Sequence, residues 1–482
     1  MARARLRIAP YIHGMRLSAL LGFALPFAPV FACGSDGSTR GSTPIEGDAT
    51  VGDGGFPFDA PPPPPAIGDP CRGTPLPTGQ HYVPSGMCAR VVATKIGGVR
   101  QITFAPNGDL FAVSSNGTIR LLSDADGNGV LDAGEVTTYA STGGNGSNAH
   151  IDGGFLYAGT PSGVRRWPYA PGMTSGGNGE DVVVDQPADG SHPLHTTHVY
   201  DGYLYVHSGS AGNAVNPMAP EYDTGRSLLR RFALSSFTTG TPFAWGSGEV
   251  VTVGLRNLVG YTRSASGRMF GVVNGLDDIH YGGQDVHNDN PGEQVLELGM
   301  GRQYGYPFCF TAQRVVRGGT VVAPGTQLAN LDFGGHDDAW CAQRSSTPAT
   351  FVQAHSAPLD IAFFETSPRG ALPESLRGGA FIALHGSWDR APNTGYKVVW
   401  MPFDASGNPP MPASTATATT FPYQTIFGGG DANGPSDGAW SWNANGVGES
   451  PRPTGVAISP IDGALYVASD SGGIIYRLGI QR

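Results

Sequence analysis

Charged residues are scarce in this chain. Asp, Glu, Lys and Arg make up 14% of its 482 residues, against about 25% in an ordinary globular domain. No long stretch repeats apolar residues at helical spacing, so the 73 Gly and 40 Pro belong to turns between many short strands. A basic surplus is missing too. The 29 Lys and Arg face 39 Asp and Glu, a formal net charge of −10, which argues against a nucleic-acid partner. The apolar run from about Leu17 to Ala32 is too short and wrongly flanked for a membrane-spanning helix. Cysteine is limited to five residues with no Cys-x-x-Cys pair, which removes a covalent haem and argues against a thiolate metal site.

That apolar run follows Arg3, Arg5, Arg7 and Arg16 and ends in Val30-Phe31-Ala32-Cys33. The ending resembles a bacterial lipoprotein cleavage box, with Phe31 where such boxes prefer a small residue. Residues 1–33 are therefore expected to be a lipoprotein-type signal peptide, with a membrane-tethering lipid on Cys33. Gly34 and Ser35 lack an early Asp, which points to the outer membrane, facing the periplasm or the cell surface. An ordinary secretory signal is the alternative. Residues 34–70 are a linker rich in Gly, Ser, Asp and Pro, with an unbroken proline run from Pro61 to Pro65. Such a segment cannot bury a core. Removing Cys33 leaves Cys71, Cys88, Cys309 and Cys341, for which three pairings exist. Proximity along the chain favours Cys71–Cys88 and Cys309–Cys341 in an oxidising compartment.

Residues 71–482 carry a repeat. Six times a Gly or Asp-Gly turn leads into an aromatic–aliphatic strand, at Gly108, Gly154, Gly202, Gly267, Gly379 and Gly463. Gly202-Tyr203-Leu204-Tyr205-Val206 is one copy. A single hairpin cannot bury its apolar face alone, so repetition implies stacking into a closed ring. Radial blades also leave few exposed edges. The expectation is an all-β, six-bladed β-propeller with four-stranded antiparallel blades, residues 71–97 leading in and supplying a closing strand.

One local motif has strong spacing. In Asp124-Ala125-Asp126-Gly127-Asn128-Gly129-Val130-Leu131-Asp132-Ala133-Gly134-Glu135, side-chain oxygens fall at positions 1, 3, 5, 9 and 12, with Gly at 6. Ca2+ takes six to eight oxygens, and the sixth-position Gly permits the sharp turn around it. Asp124, Asp126, Asn128, Asp132, Glu135 and the Val130 carbonyl are the expected ligands. Strand-like flanks make the site a structural staple between blade strands.

Further strings stand in a telling order: Gly254-Leu255-Arg256-Asn257, Gly292-Glu293-Gln294-Val295, Gly301-Arg302-Gln303-Tyr304-Gly305-Tyr306-Pro307, Ala354-His355-Ser356-Ala357-Pro358-Leu359, His385-Gly386-Ser387-Trp388-Asp389-Arg390 and Arg452-Pro453-Thr454-Gly455. Over roughly residues 95–480 the set resembles the glucose/sorbosone dehydrogenase family, nearer its sorbosone dehydrogenase-like branch. The resemblance implies a soluble six-bladed propeller using pyrroloquinoline quinone (PQQ) and calcium. It implies oxidation of an aldose, a sorbosone-like aldehyde or a related alcohol, with electrons passed to a separate acceptor. His195 matches the family's general base, a task suited to imidazole, with His192 and His198 close by. Arg256 and Asn257 match the pair at the quinone edge, and Arg452 an Arg near a cofactor carboxylate. His355, Trp388 and Arg390 fall on loops at the mouth. Gly275 and Leu276 match the turn whose carbonyls bind a second calcium, with Asp277, Asp278 and Glu293 nearby.

Two positions depart from the glucose-oxidising branch. Leu194 stands where that branch has an acidic residue before the base, and Asp389 falls near its cofactor-contacting Lys. A carboxylate there would repel an anionic cofactor. Two other functions share the architecture: a calcium-dependent lactonase, and a non-catalytic lipoprotein whose propeller face binds glycan or protein. Fold alone does not separate the three.

Overall fold

The six turn-led strands are the second strands of six blades in the computed structural model. It describes residues 71–76, 79–214, 221–331, 335–365, 370–440, 442–444, 447–449 and 451–481. The expected signal peptide, Cys33 and linker lie outside these residues. Blade 1 runs Val99–Phe104, Leu110–Ser114, Thr118–Leu122, Val136–Ser141, each strand antiparallel to the next. The later blades open with innermost strands Ala149–Asp152, Thr197–Tyr200, Asn257–Arg263, Pro358–Phe363 and Pro453–Ile458. Blades 1, 4 and 5 have the expected four strands, while blades 2, 3 and 6 gain a fifth. In blades 2 and 3 the addition is parallel, Phe243–Ala244 and Arg302–Gln303.

The second strands are mostly apolar because each blade is covered on both faces by its neighbours. Leu110–Ser114 and Ala380–Leu384 are buried at every residue. Between blades 4 and 5 the rings of Phe270, Phe363 and Phe403 meet at centroid distances of 4.9–5.6 Å. Phe270 is fully buried and Phe363 and Phe403 partly so; full burial of such a side chain is worth about 1.5–3 kcal/mol.

The ring closes through Met87–Ala93, which pairs antiparallel with Ile474–Ile480 in blade 6. Cys88 on that closing strand is disulfide-bonded to Cys71, and Cys309 to Cys341. Around the axis, side chains of one blade bind backbone of the next. Asn148 Nδ2 donates to Thr197 O (2.7 Å), Thr454 Oγ1 to Val99 O (3.0 Å), and Val456 N to Asp360 Oδ2 (3.0 Å). Gly260 permits the close approach of blades 4 and 5, since a Cβ there would lie 2.5 Å from Asp360 Cα.

The acidic loop connects Thr118–Leu122 to Val136–Ser141, as its flanks suggest. Ligand atoms of Asp124, Asp126 and Glu135 lie within 4.8 Å of one another. Ala125 N donates to Glu135 Oε1 (2.7 Å) and Gly129 N to Asp124 Oδ2 (3.1 Å). Val130 N donates to Asn128 Oδ1 (2.6 Å) and Asp132 N to Glu135 Oε2 (3.1 Å). Three carboxylates thus gather around one point on a turn the backbone already holds, a donor set that fits calcium.

Candidate functional site

Loops preceding the innermost strands of blades 3, 4 and 5 and loops following second strands enclose a cavity of about 320 Å³. The volume falls within the range of about 300–1,000 Å³ usual for cofactor pockets. Arg256 and Asn257 enter it at the start of the blade 4 innermost strand, and Asn274 and Gly275 where the second strand ends. Arg256 Nη2 donates to Asp277 Oδ2 at 2.6 Å and Nε to Asn213 O at 3.2 Å. Asn213 in turn clamps the Asp277 backbone, donating to its carbonyl (3.0 Å) and accepting from its amide (2.8 Å). The guanidinium is therefore fixed at the wall.

Beneath it, Glu293 Oε2 accepts from Gly275 N at 2.6 Å. Burial pushes Glu293 up to about 8, with the nearby Asp277 adding to the shift. Gly275 cannot carry a side chain, because a Cβ would meet Pro291 Cγ at 2.3 Å. Leu276 turns away into an apolar cluster with Ile279, Tyr306 and Phe310 that supports this turn from below. Burial raises the pKa of Asp277 and Arg256 opposes it.

The histidines sort differently from the sequence expectation. His195 is 1% exposed and does not line the cavity. Its Nδ1 lies 2.9 Å from Thr160 O and its Nε2 3.3 Å from Pro187 O. Burial pushes it down to about 4, so the neutral ring has one proton to donate, and the nearer Thr160 O is the acceptor. A ring held between two carbonyls has no nitrogen turned toward a substrate. His192 lines the cavity instead. Ser210 Oγ donates to Gly212 O (2.7 Å), so it must accept from His192 Nδ1 at 2.7 Å. That bond places the proton on Nδ1 and the lone pair on Nε2. Burial, then Arg256, pushes His192 down to about 4, so the ring is neutral at pH 7. His198 belongs to the innermost strand of blade 3 and lines a second cavity, its Nδ1 3.2 Å from His150 Nδ1.

The expected cofactor contacts divide as well. Arg256, Asn257, His355 and Trp388 line the cavity together, Trp388 standing 75% exposed at its mouth. Arg390 and Arg452 do not line it. Arg390 donates to Asn288 O (2.8 Å) and Pro392 O (2.9 Å), and Arg452 to His385 O (3.3 Å) and Gly386 O (3.2 Å). Both guanidiniums are occupied in holding loops together. Asp277 and Asp389 converge on His355 at the wall, a meeting of separate loops that no local spacing announces.

The sequence model of a family described as TrAA12-like matches residues 81–481. The chain is 30% identical over 425 residues to the pyrroloquinoline quinone-dependent pyranose dehydrogenase of Coprinopsis cinerea, which covers 84% of this chain and 55% of that protein. It is 29% identical over 410 residues to the pyrroloquinoline quinone-dependent sugar dehydrogenase of Hypocrea jecorina, 81% of this chain and 87% of that one. The chain thus spans about half the length of the Coprinopsis relative. Among solved structures, the holo form of the Coprinopsis pyranose dehydrogenase PQQ domain superposes with a TM-score of 0.69 at 27% identity, covering 85% of this chain and 99% of that one. The calcium structure of the Trichoderma reesei family AA12 enzyme gives 0.69 at 27%, covering 84% and 98%.

Proposed function

The chain belongs to the TrAA12-like family, and from that premise we propose an exported quinoprotein dehydrogenase that oxidises a sugar or related alcohol and passes electrons to a separate acceptor. The observation that carries this reading is the cavity wall itself. A fixed guanidinium, the amide of Asn257, a side-chain-free turn at Gly275 and a histidine with its Nε2 lone pair available line one pocket. PQQ supplies the two-electron oxidant when bound, with calcium beside it as a Lewis acid.

The residues present fit such a group. Arg256 and Asn257 offer donors to an anionic, carbonyl-bearing ring, and Trp388 gives a flat apolar face at the mouth. His355 completes the wall. The carbonyls of Gly275 and Leu276 are the proposed calcium ligands. His192 replaces His195 as the proposed base: Nε2 takes the hydroxyl proton of the substrate while Ser210 holds the ring through Nδ1. Arg256 favours negative charge developing in the pocket. The acidic loop from Asp124 to Glu135 holds a second, structural calcium remote from this chemistry. Two disulfides accord with an oxidising compartment, and Cys33 is the proposed lipid attachment.

The test is the purified chain supplied with PQQ and calcium, assayed by reduction of an artificial dye across a panel of aldoses. Rapid reduction with at least one sugar, dependent on added quinone, is expected. Lactone hydrolysis by the untreated protein, with no dye reduction, would replace this reading with a hydrolase.

A further inference from the structure

Three acceptor-bearing side chains from three loops face one another across the cavity wall. Asp277, His355 and Asp389 bring ligand atoms within 4.8 Å of each other. The His355 tautomer is fixed by its surroundings. Its Nε2 lies 2.6 Å from His287 O and 3.1 Å from Asn290 O. Carbonyls only accept, so Nε2 carries the proton and the lone pair of the neutral ring is on Nδ1. That nitrogen stands 4.0 Å from Asp389 Oδ2, on a side chain only 4% exposed. Asp389 Oδ2 is itself buried and has no hydrogen-bond partner among the described residues. With the ring neutral, two acceptors therefore face each other at a distance too long for a hydrogen bond, an arrangement that a cation between them relieves.

The spacing suits a metal ion. Three ligand atoms each about 2.1 Å from a tetrahedral ion lie about 3.4 Å apart, so the side chains, now within 4.8 Å of one another, draw inward to bracket one. Asp277 keeps its second carboxylate oxygen while Arg256 holds Oδ2. One imidazole nitrogen with two carboxylates suits a first-row divalent ion such as Mn2+ or Zn2+, whereas calcium seeks an all-oxygen shell. Charge points the same way. Arg256 already offsets Asp277, so Asp389 is left to oppose an anionic cofactor, and a divalent ion beside it reverses that charge.

We infer that Asp277, His355 and Asp389 form a binding site for one first-row divalent metal ion beside Arg256, distinct from the calcium assigned to the Gly275 turn and to the acidic loop. The site places positive charge beside Asp389, which falls near the position of the cofactor-contacting lysine in the glucose-oxidising branch. It goes beyond the quinone reading and does not need it, because the cofactor-free chain is competent to bind.

The experiment is a Mn2+ titration of the full, cofactor-free chain followed by electron paramagnetic resonance, with Glu135→Gln as parent so that the acidic loop does not compete. One bound Mn2+ per chain is expected, with nitrogen coupling from one imidazole in the pulsed spectrum. Asp389→Asn should weaken binding by more than the roughly 10- to 100-fold that follows loss of an outer-shell partner. Asp278→Asn, an exposed neighbour outside the cluster, should leave affinity unchanged. No bound Mn2+, no nitrogen coupling, or equal binding by Asp389→Asn would overturn the assignment. Should Asp389→Asn fail to fold, the nitrogen coupling of the parent decides alone. Mn2+ binding without quinone binding would sink the quinone reading and leave this site standing, and the reverse would sink only this site.

Discussion

His192→Gln should cost catalysis, and His195→Gln should cost stability. His192 lines the cavity, donates from Nδ1 to Ser210 and keeps a lone pair on Nε2. Glutamine fills a similar space but cannot accept a proton near neutral pH. Losing a positioned general base lowers turnover by about 10²–10⁴-fold, or about 2.7–5.4 kcal/mol on the barrier. Substrate affinity should change little, since the proton moves only as reaction proceeds. His195 is 1% exposed, and its loss frees a buried carbonyl, Thr160 O, from its donor at 2.9 Å. That penalty is about 1–3 kcal/mol. At about 0.9 kcal/mol/K of unfolding entropy for a domain of roughly 410 residues, it reads as about 1–3 °C in Tm. Both variants would be reconstituted with PQQ and calcium, assayed by dye reduction over a range of sugar concentrations, and melted in parallel. A His192→Gln enzyme whose kcat stays within about threefold of the parent, or a His195→Gln enzyme that loses activity with Tm unchanged, would refute the assignment.

Other outcomes follow from the same geometry. Calcium at about 100 times its Kd should stabilise the chain by about 2.7 kcal/mol through the acidic loop, and a double Asp124→Asn, Glu135→Gln variant should lose most of that gain in calorimetry. Asp360 is buried between blades and pushed up to about 7 by burial. Between its unfolded pKa of about 3.9 and pH 7 the unfolded chain releases a proton that the folded chain keeps. Stability should therefore fall with rising pH by up to about 1.4 kcal/mol per unit across that window, and Asp360→Asn should flatten the slope in melts from pH 4 to 8. Loss of the Cys71–Cys88 bond by a paired Ser substitution should cost about 3 kcal/mol and loosen the strand that closes the ring, measured by hydrogen exchange at Met87–Ala93.

The parts of the fold legible in the sequence are those under the simplest physical constraint. The second strands are buried on both faces, so their apolar runs and the preceding Gly turns repeat visibly, as at Gly379 to Leu384. Innermost strands are harder to read. Thr197–Tyr200 alternates buried Thr197 and Val199 with half-buried His198 and Tyr200, which line a cavity, so it carries no apolar run. Paired additions such as Phe243–Ala244 follow from tertiary placement alone. At the site, the Arg256-Asn257 string was readable because its residues are adjacent. The choice between His192 and His195 was not, because it depends on Ser210, Gly212, Thr160 and Pro187 meeting two rings three residues apart. Arg390 and Arg452 have the right charge in the right strings, yet backbone carbonyls claim both.

The central claim is that the pocket walled by Arg256, Asn257 and His192 is built for an anionic quinone. An equilibrium titration of the cofactor-free chain with PQQ in the presence of calcium, followed by calorimetry and absorbance, tests it directly. Binding of one quinone per chain is predicted, weakened at least about tenfold by Arg256→Ala as a buried charge-assisted contact is lost. An absence of saturable binding, or binding that Arg256→Ala leaves untouched, would contradict it.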